Sequence, residues 1–115
     1  MPIHIKRAYE PPSRSDGKRI LIDRLWPRGV KKESLALDGW MKEIAPSPEL
    51  RTWFGHKPER FQEFRKRYRA ELNGHPELIA ELRAQAEGGT LTQVYGARDE
   101  LHNGAVVLRE MLAER

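Results

Sequence analysis

The stretch RILIDRLW, residues 19–26, decides the fold. Its near-continuous apolar run has the length of a strand, and the lack of strict alternation is the pattern of a strand covered on both faces. Such a strand belongs at the centre of a sheet. The segment DRLWPRG (23–29) then brings out an acid, two arginines, a tryptophan and a Pro-Arg-Gly turn in seven residues. This is either a site or a braced corner.

Reading outward, IHIKRAY (3–9) alternates Ile3 and Ile5 with polar residues as a strand does, and EPPSRSDG (10–17) is a loop punctuated by Pro and Gly. WMKEIA (40–45) admits a short strand or a helical turn, and the strand is the expectation. SPELRTWF (47–54) opens a helix, with Ser47 as N-cap, Pro48 at the first helical position and Glu49 facing the dipole. In PERFQEFRKRYRAEL (58–72), Phe61, Phe64, Tyr68 and Leu72 recur at spacings of three and four and form one apolar stripe. HPELIAELRAQAEGG (75–89) repeats the device, with Pro76 at its start and Gly88-Gly89 at its close. TLTQVYGA (90–97) is rich in β-formers and predicts the last strand, and NGAVVLREMLAE (103–114) predicts the last helix. Strands interleaved with helices predict an α/β sandwich around a short, mostly parallel sheet of about four strands.

At 115 residues the chain is of single-domain size, so residues 1–115 are read as one α/β domain. There is no Cys, which excludes disulfides, thiolate metal sites and a cysteine nucleophile. The four His are too scattered for a zinc cluster, so no metal site is expected. No apolar stretch has the length of a signal peptide or of a membrane span, and a cytoplasmic protein without membrane attachment is the expectation. The net charge of +4 divides into +6 over residues 1–32, −3 over 33–50, +4 over 51–71 and −3 over 72–115. Two basic segments can converge on one positive face that attracts phosphate or nucleic acid, or their Lys and Arg can simply be solvated.

In open α/β sheets, ligands bind outside the carboxyl ends of the strands. DRLWPRGV follows the second strand and YGARDELHNG follows the last, so both polar clusters are expected at that edge. The block IKRAYEPPSRSDGKRILIDRLWPRGVKKE, with LDGWMKEIAPSPELRTWFGH, FRKRYRAEL and YGARDELHNGAVVL, resembles the YeaO-like branch of the bacterial family known as domain of unknown function 488. The resemblance covers nearly the whole chain. It implies a small three-layer Rossmann-like sandwich, cytoplasmic, with no catalytic residues to carry over. Members of the wider family often have a Cys-His-Arg segment after the last strand; here LHNG stands there, without the thiol.

Asp23 leaves the core at a strand end, where a half-buried carboxylate serves as acid, base or acceptor of hydroxyls, or else pins the loop through backbone N–H groups. Arg24 points to the opposite face if the strand continues, which makes Arg28 and Arg98 the expected partners of Asp23. Arg24, Arg28 and Arg98 present guanidinium forks matched to phosphate or carboxylate. Gly29 allows positive φ or a close approach to a ligand. Trp26 either stacks on a base or sugar or belongs to the core. Tyr95, Asp99, His102 and Asn103 form the second cluster. Asp99 can orient His102 for proton transfer, or Asp99 or Asn103 can cap the last helix, with Asp99 preferred as the cap. His56 is a third contributor or a C-terminal cap, and His4 and His75 are structural.

These readings make Asp23 and His102 the candidate catalytic residues. Arg24, Trp26, Arg28, Gly29, Tyr95, Arg98, Asp99 and Asn103 are the candidate ligand-binding residues. The expected ligand is an anionic small molecule, a nucleotide or other phosphorylated metabolite; an enzyme on this plan would be a metal-independent hydrolase or group transferase. No cofactor motif is visible. Two alternatives stand beside it: a nucleic-acid-binding module in which Trp26 and Trp53 stack on bases, and an adaptor without ligand.

Overall fold

The structure, a computed structural model, describes residues 2–114. Four strands, β1 (Ile3–Arg7), β2 (Lys18–Leu21), β3 (Gly39–Trp40) and β4 (Leu91–Tyr95), form one sheet in the order β1-β4-β2-β3. Every neighbouring pair is parallel. Parallel neighbours need crossovers: α1 (Lys32–Leu35) lies between β2 and β3, α2 (Pro48–Phe54), α3 (Phe61–Asn73) and α4 (Pro76–Gln85) lie between β3 and β4, and α5 (Gly104–Ala113) follows β4. The chain is thus the α/β sandwich its patterning predicts, with a sheet that is parallel throughout.

Successive side chains of each interior strand go to opposite layers. Ile20 and Ile22 beside β4's Leu91 and Tyr95 join the main core with Phe54, Phe64, Tyr68 and Leu108 from the helices. Leu21 and Val94 face the other way, into a smaller cluster with Ala8 and Leu35, flanked by Trp26 and Trp40. The sandwich has three layers, of which the second outer one is thin. The aromatic stripe of α3 behaves as its spacing predicts: Phe61, Phe64, Tyr68 and Leu72 are all buried, and Phe64 stacks on Phe54 with ring centroids 4.3 Å apart. Each such side chain contributes about 1.5–3 kcal/mol by leaving water.

Ser47 caps α2 as expected, its Oγ accepting the Leu50 amide at 3.2 Å. The same residue donates its backbone N–H and its hydroxyl to Glu71 of α3 at 2.9 and 2.6 Å, so the cap also joins two helices. Among the described residues no helix is long and apolar enough to cross a membrane.

Three local expectations are corrected. The strand expected over 19–26 ends at Leu21, although the Ile22 amide still donates to Val94 O at 3.1 Å. Beyond it β3 supplies only two residues of ladder, and Trp40 Nε1 donates to Asp23 O at 2.6 Å, taking the carbonyl that a longer strand would have offered a neighbour. The centre of the sheet is shared: β2 is interior, but β4 is the strand buried along its whole length. In WMKEIA only Trp40 is strand, and Lys42–Ile44 form a 3-10 turn whose last carbonyl accepts the buried Tyr68 hydroxyl at 2.6 Å.

At the amino end of β2, a 3-10 turn at Arg14–Asp16 carries a closed polar cluster. Asp16, 7% exposed, receives Lys6 Nζ on both oxygens at 3.1 Å and Arg19 Nη1 at 2.6 Å. Arg19, 3% exposed, sends Nε and Nη2 to Leu35 O at 3.1 and 2.9 Å. Burial would raise the Asp16 carboxyl, but the Ser13 amide, Lys6 and Arg19 outweigh it and hold the group below the ordinary Asp value. Gly17 (φ +63°) follows, so tightly apposed to β4 that an added Cβ would lie 2.2 Å from Thr90 O.

Candidate functional site

A parallel sheet sends all its carboxyl ends to one edge, and a cleft of about 330 Å³ lies there. Every strand contributes to its walls: Tyr9 after β1, Asp23 to Arg28 after β2, Ala45 and Pro46 after β3, Gly96 and Ala97 after β4. The helix layer closes it with Asn103 and Gly104 at the amino end of α5, Arg51 and Phe54 of α2, and His56 just beyond α2. Leu50 and Phe54, four residues apart, bury one stripe of α2, which leaves the neighbouring Arg51 exposed at the sheet edge.

Asp23 is the carboxylate of the cleft. Its Oδ2 accepts the Gly96 amide at 2.8 Å, linking the loops that follow β2 and β4. Burial raises the Asp23 carboxyl above its ordinary value, against the Gly96 hydrogen bond and the positive fields of Arg51 and His56. The expected partners Arg28 and Arg98 are therefore replaced by a backbone amide and two groups from the α2 region. The reason is that β2 stops before Asp23, so strand alternation no longer fixes the direction of the side chains.

Arg24 is half-buried, with one bond of 3.4 Å from Nη2 to Ala45 O, and its buried Nε has no hydrogen-bond partner among the described residues. Trp26 lines the cleft while its indole N–H donates to Val30 O at 2.7 Å and its ring meets Trp40 edge-on, centroids 5.4 Å apart. It is both wall and core. Arg28 is exposed at the rim, and its carbonyl accepts the Tyr9 hydroxyl at 3.0 Å. Gly29 has φ +76° as the turn requires, but it is not among the lining residues. Tyr95 is, and burial raises its phenol.

The second cluster divides. Asn103 is the N-cap of α5, its Oδ1 accepting the Val106 amide at 3.0 Å, so the capping role preferred for Asp99 falls to Asn103. Asp99 instead closes the preceding turn: Oδ1 accepts the amides of Leu101 and His102 at 2.9 and 3.0 Å, and Oδ2 lies 2.9 Å from His102 Nδ1. The Leu101 amide and the His102 ring hold the Asp99 carboxyl below its ordinary value. The Asp99–His102 pair thus forms, yet it sits edge-on to Phe61, with centroids 5.2 Å apart, and neither residue nor Arg98 lines the cleft.

Tyr9 and Arg51 were not among the sequence candidates, and His56 was only an outside contributor. Their signal is topological: Tyr9 follows a strand end, while Arg51 lies within α2 and His56 just beyond it. His56 has φ +57° directly after Gly55 at +53°, a left-handed pair that ends α2 and leaves His56 in the cleft lining. Among the described residues no group of three or more His, Asp or Glu is placed to hold a metal ion.

Comparison with known proteins agrees with the motifs. Over residues 2–115 the chain matches the family model described as the inactive DUF488-N3 subclade. It is similar to uncharacterized protein YeaO of Escherichia coli (strain K12), 47% identical over 112 residues that cover 97% of each chain. It is also similar to uncharacterized protein Rv3073c of Mycobacterium tuberculosis (strain ATCC 25618 / H37Rv), 41% identical over 113 residues, 98% of this chain and 95% of the relative. Mycobacterium bovis Mb3100c shows the same identity and coverage. No solved structure matches. With a family model spanning it and relatives aligned along nearly their full length, this chain belongs to the DUF488 family, in its inactive DUF488-N3 subclade.

Proposed function

We propose that this domain binds an anionic small molecule, a nucleotide or other phosphorylated metabolite, in the cleft at the carboxyl edge of its sheet, and holds it without turnover. The observation that carries this reading is the charge of the walls. Arg24, Arg28, Arg51 and His56 surround a cleft in which Asp23 is the one carboxylate among the described lining residues. The partnerless Nε of Arg24 is a donor awaiting an acceptor, and buried donors left unpaired cost about 1–3 kcal/mol. The amino end of α5 adds its partial positive charge.

Two arguments favour binding over chemistry. The Asp99–His102 pair, the natural acid-base couple, is outside the cleft lining, and the subclade is described as inactive. The nucleic-acid alternative needs free tryptophan faces, whereas Trp26 packs on Trp40, and Arg60 and Arg67 sit over the Trp53 ring at 5.3 and 4.3 Å. The test is thermal shift of the full chain at low ionic strength with inorganic phosphate, pyrophosphate, sugar phosphates and nucleotides. A binder present at 100 times its dissociation constant should stabilise the native state by about 2.7 kcal/mol. No shift with any of these anions would sink the reading.

A further inference from the structure

The cleft is more than a basic patch, and its uncharged walls narrow the class of ligand. Among the described residues the exposed large hydrophobics are Tyr9 (49%), Leu25 (56%) and Leu101 (72%), and the first two line this cleft. Tyr9 is held in place, its hydroxyl donating to Arg28 O at 3.0 Å and its ring lying 5.0 Å from the Arg7 guanidinium. Deeper in, the lining is Ile22, Phe54 and Phe64. A phosphate or a sugar phosphate has no use for such walls, whereas the face of a heteroaromatic ring does.

Asp23 narrows it further. A carboxylate in the floor of an anion site repels a simple polyanion, so it needs a ligand that brings a hydrogen-bond donor to it. Oδ2 is committed to the Gly96 amide, and Oδ1, in a residue that lines the cleft, has no hydrogen-bond partner among the described residues and is not sealed from solvent. The volume, about 330 Å³, is at the small end of the range for ligand sites, which suits one ring system and one phosphate rather than a dinucleotide.

Resting on the anion-binding reading of the same site, the geometry points to a nucleoside monophosphate. Its base lies against Tyr9 and Leu25, a ring N–H or ribose O–H donates to Asp23 Oδ1, and its phosphate is held by Arg28 and Arg51.

Isothermal titration of the full chain at low ionic strength tests this with inorganic phosphate, ribose 5-phosphate, and the 5′-monophosphates of adenosine, guanosine, cytidine and uridine. At least one nucleotide should bind ten-fold or more tighter than ribose 5-phosphate. In Asp23→Asn, whose amide oxygen can keep the Gly96 bond while its NH2 faces the ligand's donor, that excess should fall below three-fold and phosphate should bind as well as before or better. Leu25→Ser, at an exposed position that folding does not need, should reduce the excess in the same way. Equal binding of ribose 5-phosphate and every nucleotide would overturn the inference and leave the anion site standing. A nucleotide excess that survives both substitutions would overturn it too. No binding of any probe would remove both readings.

Discussion

Two aspartates lie seven residues apart, one before β2 and one after it, and they meet opposite conditions. Asp16 is surrounded by donors: Lys6, Arg19 and the Ser13 amide take up both its oxygens, and its carboxyl is held low. Asp23 has one backbone amide, a neighbouring arginine with an idle nitrogen and an open cleft before it, and its carboxyl is held high. One end of the strand is finished by the protein itself, while the other is left for something else to finish. Polarity alone does not mark a site; incomplete satisfaction of that polarity does.

The hardest test of the closed end is Gly17→Ala. Both the left-handed φ and the 2.2 Å approach to Thr90 O forbid a Cβ, so a loss of roughly 4 kcal/mol or more, or failure to fold, is expected in circular-dichroism melting. Next comes Asp16→Asn, which leaves Arg19 buried without its counter-charge. It should cost on the order of 3 kcal/mol, a fall in Tm of roughly 12 °C. If instead Asp16→Asn proved as mild as Asp23→Asn, the contrast between a brace and a site would collapse.

At the open end the effects shrink. Gly29→Ala faces the same sign of φ (+76°) but nothing within 4 Å, so only the backbone cost of about 1–2 kcal/mol should remain. Asp23→Asn should leave Tm at neutral pH unchanged or slightly higher, because a desolvated charge is removed and the Gly96 bond can be kept. The two acids also give opposite pH dependences. The raised Asp23 carboxyl takes up its proton while the unfolded chain is still ionised, so lowering pH through its folded value toward the ordinary 3.8 adds stability. The lowered Asp16 contributes stability above the ordinary 3.8 that is lost as pH falls through its folded value. Melting wild type and Asp23→Asn side by side from pH 7 to pH 4 should show the first gain in wild type and not in the variant.

Smallest of all in stability is Arg28→Ala, within about 0.5 kcal/mol, since the side chain is exposed and the bond to Tyr9 uses the backbone carbonyl. Its effect belongs to affinity instead: losing a charge-assisted bond should weaken phosphate binding by roughly 1.5–3 kcal/mol. A large drop in Tm would turn Arg28 into a structural partner and make the segment 23–29 a second brace.

The helices and their caps were legible because their cause is local. Ser47, Pro48 and the stripe of Phe61, Phe64, Tyr68 and Leu72 act within a turn or two of themselves. The two-residue β3 and the short α1 were not, since neither is long enough to show a period. Of the site, the acid and the two arginines of DRLWPRG were visible as polarity leaving an apolar run. His56 was visible as a third contributor, but Arg51 was hidden because nothing in ELRTWFGH tells which surface of α2 overlooks the strand ends. The capping role moved from Asp99 to Asn103 for a related reason: both carry a suitable oxygen, and only the actual start of α5 chooses between them.

The strand order carries a consequence for how the chain comes to be folded. β1 and β2 never pair with each other; each pairs with β4, so Ile3 meets Leu91 and Lys18 meets that same residue. During synthesis β1 therefore has no strand to pair with until nearly the whole chain has been made, and the loop that must close spans most of its length. Such non-local closure is slow and leaves apolar edges waiting. The helices of the middle segment can form and collapse on one another first, through local contacts such as Phe54 on Phe64, and β4 then enters last between two strands that had stayed apart. A chain stopped before Leu91 should be a helical, ANS-binding, aggregation-prone species with no cleft, because β1 and β2, which bring Tyr9 and Asp23 to it, both pair with the strand it lacks, and Gly96 and Asn103 are missing as well.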